Sequence, residues 1–306
     1  MGLSVLLVLL AWKPDAVALR RVFEEALARR EAQFGRTDAR TAQAARDLGK
    51  FLALEGDRAA AVVALRRVVE IDEVVAGAED ERTLSDVAEL AGLTGEPGLW
   101  ERAATARDGV VAARALDALG AMREARGDAA GAVQAYRQAL AREVKASGAT
   151  AAKVAVRLNA LALAVGPQEG VGLLQRAVTI NRTALGTKHP ETASTMTNLS
   201  GMLLASGRVA EAVQLGTQAV TAFEAALGEH PRTAAAVSNL ADAFRAQGAM
   251  VRAEGLYRRA LAIDLAAYGP GNPETQGDAR NLAEFLREVQ RIVDAEKVER
   301  EYGFGR

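Results

Sequence analysis

The polar and apolar positions follow a helical period. Ala253, Tyr257 and Ala260 stand four and three residues apart, on one face of a helix. The long segments around such positions are built from Ala, Leu, Arg, Glu and Gln, the strongest helix formers. Glycines and prolines punctuate them: Pro190, Pro231 and Pro273 stand at expected helix starts, and Gly207 and Gly248 at expected helix ends. One stretch departs from the period. Gly2 to Trp12 reads GLSVLLVLLAW, apolar on all sides, and ends at Lys13-Pro14-Asp15.

That run is too short to span a bilayer and has the length of a signal-peptide core. No Lys or Arg precedes it, and Leu9-Leu10-Ala11 is a poor small-x-small cleavage site. A short element packed on the first repeat is the structural alternative. Because a soluble protein would have to cover the run on all sides, an exported or periplasmic location is favoured over a cytoplasmic one. Membrane contact is expected only if the run is retained.

The same patterns recur in fixed register. His189-Pro190-Glu191-Thr192 returns as His230-Pro231-Arg232-Thr233 and as Asn272-Pro273-Glu274-Thr275, 41 and then 42 residues on. Asn198-Leu199, Asn239-Leu240 and Asn281-Leu282 follow, each Asn six residues after its Thr. Gly207 and Gly248 keep the spacing, and Gln290 takes that place in the last copy. Each unit therefore reads as two helices. Pro sits where its missing N–H costs nothing. Asn272 is a natural N-cap, with His189 and His230 in the same slot. A first helix ends at the glycine, and a second runs through Ala212 and Ala219, or through Ala253 and Ala260.

Weaker copies precede these. Thr41, Asp47-Leu48, Gly56 and Ala61 fit one. Asp86-Val87 and Gly95 fit a degenerate one with a shortened second helix. Gly120, Gly127, Ala132, Tyr136 and Ala139 fit another, and Leu158, Gly166-Pro167 and Ala177 the next. Asp15 to Phe34 reads as a lone second helix, and the last copy runs to about Tyr302. A single solenoid over residues 13–302 is expected, with about seven hairpins after a leading helix and a tail at 303–306. The weak register between Val75 and Val110 marks the place for a bend.

Asn239-Leu240, Gly248, Ala253 and Ala260 carry a resemblance to tetratricopeptide repeats (TPR), in particular the long-period repeats of kinesin light chains. The resemblance implies an all-α fold, a right-handed superhelical α-solenoid of stacked helix-turn-helix hairpins. It also implies a non-enzymatic scaffold or adaptor that binds an extended peptide in its concave groove.

Composition narrows the chemistry. Lys plus Arg number 38 against 39 Asp plus Glu, so the charge footprint of a nucleic-acid binder is missing. With no Cys, disulfides, thiolate metal sites and cysteine nucleophiles are excluded. The two His residues occupy equivalent turn positions in successive repeats, which one structural role explains. No phosphate loop, H-E-x-x-H or dinucleotide fingerprint occurs. Neither an enzyme nor a bound metal or cofactor is expected. Asn181-Arg-Thr and Asn198-Leu-Ser match glycosylation sequons by chance, both inside expected helices.

In a stacked solenoid the first helices line the concave surface. Asn198, Asn239 and Asn281 would form a ladder along it, and an Asn amide can pair with both the N–H and the C=O of an extended strand. Earlier repeats depart from the ladder: Arg157, Ala118, Asp86 and Asp47 take the same register there. Arg245, Arg280 and Arg287 lie near the ladder, with Asp242 and Glu284 interspersed; their guanidinium forks suit an acidic or C-terminal-carboxylate peptide. The expected partner is another protein or peptide. A self-associating structural solenoid, or a regulatory partner of another enzyme, remain the alternatives.

Overall fold

The computed structural model describes residues 16–304, so the apolar run at residues 2–12 and the expected signal or anchor lie outside the described residues. Among the described residues there are fifteen helices and no strands. The chain divides into two compact units, Met1–Ala146 and Ser147–Arg306. Among the described residues no helix is long and apolar enough to cross a membrane.

The first unit begins with α1 (Ala16–Phe34), followed by α2 (Ala39–Leu54) and α3 (Arg58–Val75). The next pair is α4 (Glu81–Thr94) with α5 (Pro97–Ala103), and the last is α6 (Gly109–Ala125) with α7 (Ala129–Ser147). The second unit holds α8 (Ala152–Val165) with α9 (Pro167–Leu185) and α10 (Pro190–Ala205) with α11 (Val209–Leu227). It continues with α12 (Pro231–Ala246), α13 (Met250–Tyr268), α14 (Pro273–Glu288) and α15 (Ile292–Tyr302). These are consecutive antiparallel hairpins, the solenoid grammar of the repeats. The seven-residue α5 is the shortened second helix of the degenerate copy. Its Trp100 is buried with Val87, Leu90, Ala91 and Ala103.

Local chemistry sets the helix limits. At the starts, a side chain accepts the backbone N–H two residues on: Asp38 from Arg40, Asp80 from Arg82, Asn272 from Glu274. His189 and His230 do the same through Nδ1, at 3.1 and 3.0 Å, which requires that nitrogen to be unprotonated. Just inside, a fully buried Thr ties the helix to the preceding turn; Thr192 Oγ1 donates to the Gly186 carbonyl.

Hairpin packing relies on close approach. Ala193, Ala212, Ala219, Ala234, Ala253 and Ala260 have no exposed surface. Large side chains fill the seams, among them Phe223, Leu240, Tyr257 and Phe285. Gly120 shows how tight the contact is. A Cβ there would stand 2.6 Å from Cε1 of Tyr136, whose hydroxyl donates to Glu124 at 2.8 Å. Tyr257 donates to Asp242 in the same way.

Five of the first helices, α2, α6, α10, α12 and α14, end in one hydrogen-bonding pattern, in which the residue after the cap has a positive φ. Gly248 N–H reaches the Arg245 carbonyl and Ala249 N–H the Phe244 carbonyl, both at 2.9 Å. Gln290 N–H and Arg291 N–H repeat this on Arg287 and Leu286, with Gln290 at φ 62, the one non-glycine with positive φ among the described residues. An L side chain in that region costs about 1 kcal/mol. Gln290→Gly should therefore raise unfolding stability by up to about 1 kcal/mol in chemical denaturation. Gly120→Ala should lower it by roughly 1–3 kcal/mol, because the ring of Tyr136 has nowhere to move.

Candidate functional site

In the second unit, α10 and α12 pack directly on each other as well as on their second helices, so the first helices form an inner row. Counting from each N-cap puts the second, fifth, ninth and twelfth residues on one outward stripe. On α10 these are Glu191, Ser194, Asn198 and Gly201; on α12, Arg232, Ala235, Asn239 and Asp242; on α14, Glu274, Gly277, Asn281 and Glu284. On α8 the stripe reads Lys153, Val156, Ala160 and Leu163, with Val156 and Leu163 exposed. The row thus changes from apolar at α8, through small residues and amides, to acidic at α14.

The three asparagines occupy one register, and two of them lace successive first helices together. Asn198 Nδ2 donates to Asn159 Oδ1 of α8 at 2.8 Å, and Asn281 Nδ2 donates to Ser238 Oγ of α12 at 3.2 Å. Both bonds run from the ninth residue after one cap to the eighth after the preceding cap. Asn239 is exposed and its amide makes no such bond. The residue it would reach, Thr197, donates to the Ala193 carbonyl of its own helix instead. Asn198 and Asn281 each keep a second amide hydrogen and Asn281 its carbonyl oxygen for another partner.

The arginines are placed differently. Arg287 makes a bidentate pair with Glu299 of α15, at 3.0 and 2.8 Å. Arg280 lies over the Phe304 ring, 5.3 Å from its centre. Arg245 stands between Asp242 and Glu288, at 3.6 and 3.7 Å. Arg157 is half-buried one turn before the ladder register, which Ala160 occupies. Counting back from Gly166 misplaces it because α8 has two residues fewer than α10. The same error affects Asp86. Glu89 holds the ladder register of α4, and Asp86 is buried beneath it. The sequon residue Asn181 is buried too, its Nδ2 donating to Thr195 Oγ1 at 3.0 Å.

A buried acidic pair lies next to this face and escaped the motif reading. Asp264, near the end of α13, and Asp278, on α14, are 6% and 8% exposed. Each has one buried carboxyl oxygen without a hydrogen-bond partner. Burial pushes the Asp278 carboxyl up to about 6; the Ser238 hydroxyl opposes the shift, and the charges of Asp264 and Glu274 add to it. Asp264 is raised as well, by burial and then by Glu274. The signal that could have found the pair is its 14-residue spacing, which Asp72 and Asp86 share. Among the described residues no group of His and carboxylates could hold a metal ion.

A tetratricopeptide-repeat family model matches residues 166–225 and 207–266. No curated protein matches the chain. Among solved structures, the chain is similar to a kinesin light chain-like protein of nearly identical TPR-like repeats from Podosopora anserina. The TM-score is 0.55 at 25% identity, over 62% of this chain and 92% of that one. BtubC (BKLC) from P. vanneervenii has the same fold, with TM-score 0.56 at 18% identity, over 72% of this chain and 86% of that one. So does a Rap protein complexed with Competence and Sporulation Factor, with TM-score 0.55 at 13% identity, over 87% of this chain and 78% of that one. Residues 166–266 carry tetratricopeptide repeats, and the chain shares the fold of solved kinesin light chain-like repeat proteins, a fold that points to a protein–protein interaction scaffold.

Proposed function

We propose that the second unit holds an extended segment of another protein along its inner row, as a non-enzymatic adaptor. The observation that carries this reading is the unspent hydrogen-bonding capacity of Asn198, Asn239 and Asn281 on one register, half-buried at Asn198 and exposed at the other two. Ser194, Gly201, Ala235 and Gly277 beside them are small, so a bound backbone can come within reach of the amides. Arg245 and Arg280 flank the row, and Arg157 its α8 end; Arg287 contributes by fixing α15 through Glu299. The similar fold of the Rap protein, solved with Competence and Sporulation Factor, supports a scaffold that takes a partner.

Binding to an amide ladder is a main-chain contact, so its loss should be large while the fold stays intact. Changing Asn198, Asn239 and Asn281 to Ala should weaken capture of the native partner at least tenfold, a change of about 1.4 kcal/mol. Helix content by circular dichroism should not change, although Tm should fall slightly with the two lost rungs. Undiminished capture by the triple variant would overturn the ladder.

Self-association is the second reading, favoured by α1, where Val17 and Val22 are exposed and Leu19 is buried. Light scattering from micromolar to millimolar concentration separates the two: a mass that rises with concentration and drops in Val22→Asp supports self-association. A constant monomer mass removes it.

A further inference from the structure

The buried acidic pair of the last hairpin has a counterpart in the first unit that is already occupied. Asp72 and Asp264 each stand five residues before a turn glycine, Gly77 and Gly269, and each has its partner 14 residues on. Asp86 and Asp278 each stand three residues after a fully buried Thr, Thr83 and Thr275. The two pairs are therefore the same site in two hairpins.

In the first unit a guanidinium fills it. Arg46 donates to Asp86 Oδ1 and Oδ2 at 2.7 and 2.8 Å and to Asp72 Oδ2 at 2.6 Å. Arg82 adds a second cation, 3.2 Å from Asp72. Arg46 is the eighth residue after its N-cap, and Arg82 the second after its own. The residues at those registers around the last pair are Ser238 and Glu274. Two acids with two cations have become three acids with none. Within the second unit the preceding pairs are neutral: Asn181 with Thr195, hydrogen-bonded, and Phe223 with Ala236, both buried in one apolar cluster.

Uncompensated buried carboxylates are costly, and a guanidinium is the group whose fork matches two of them at once. Glu274 and Asn281 are exposed and flank Asp278 on the helix surface, four residues before it and three after. The site therefore adjoins the last rung of the amide ladder, at the acidic end of the inner row. We propose that Asp264 and Asp278, with Ser238 and Glu274, form a receptor for an arginine side chain of the bound segment, taking the place that Arg46 fills from within the chain in the first unit. This rests on the inner row being the binding face, and it gives the bound segment a direction, with its arginine at α14 and apolar residues toward Val156 and Leu163.

The test uses the full chain and N-acetylarginine methylamide, with the neutral citrulline analogue as control, followed by NMR on the Asp278 carboxyl carbon and the Asn281 amide. At pH 7.5 the arginine probe should shift both signals saturably and the citrulline probe neither. Affinity should fall at least tenfold by pH 5, because protons then compete for the Asp278 carboxyl, which faces Asp264 from α13, Glu274 on its own helix and Ser238 from α12. Asp278→Asn should abolish the shift at Asn281. Ser238→Arg should fill the site from within, raising Tm and blocking the probe. Arginine binding that survives both variants, equal binding of citrulline, or no saturable shift would overturn the receptor. The double variant Asn198→Ala/Asn239→Ala should still bind the probe while losing the partner. If the probe fails in the native chain and that variant still loses the partner, the receptor is wrong and the amide ladder stands.

Discussion

A two-helix hairpin has more apolar surface than its own two helices can cover, so each hairpin here is stable only against its neighbour. The rest of the structure depends on this constraint. It accounts for the alanines with no exposed surface, such as Ala193, Ala234, Ala253 and Ala260. Small side chains let helices approach closely, and the few large ones, Phe223, Tyr257 and Phe285, then fill the seams. It also accounts for the shape of the exposed chemistry. Once one stripe of every helix is committed to stacking, the stripe left on each first helix falls into line with the next, and equivalent residues become neighbours.

Polar groups within the seams then have to be matched hairpin by hairpin. At one register the hairpins differ: an ion pair network around Arg46, a hydrogen bond between Asn181 and Thr195, apolar burial of Phe223 and Ala236, and the acidic pair Asp264 and Asp278. The first three are self-contained. In the network, burial and the neighbouring Asp86 still raise the Asp72 carboxyl, against the pull of Arg46 and Arg82. The last has no cation in that place, only the Ser238 hydroxyl, and burial pushes the Asp278 carboxyl up to about 6. Because a buried pair that lacks its cation gains most from receiving one, the last hairpin is where an incoming charge has the greatest effect.

Much of this was legible in the sequence because caps and turns are short-range. Thr192, Pro190 and Gly207 act on backbone groups a few residues away, so their spacing maps directly onto helix limits. The registers of Arg157 and Asp86 were misread for the same reason. Their helices have 14 residues where α10 has 16, so a residue at the matching distance from the closing glycine is not the one that the N-cap turns outward. Interactions between hairpins, some 40 residues apart, were not legible as motifs. That Asn281 would meet Ser238, or Arg232 would reach Glu191, depends on how far each hairpin rotates against the next. The acidic pair shares a 14-residue spacing with Asp72 and Asp86, but only burial sets both pairs apart from the many surface carboxylates.

The account requires that partner contact be made by the inner row and by no other face of the second unit. A photo-activatable residue placed at Asn239, compared with one at the exposed Thr217 on α11, measures this directly in the native host. The inner row as binding face predicts a discrete cross-linked polypeptide from position 239 and none from 217. Adducts from 217 with none from 239 would contradict it.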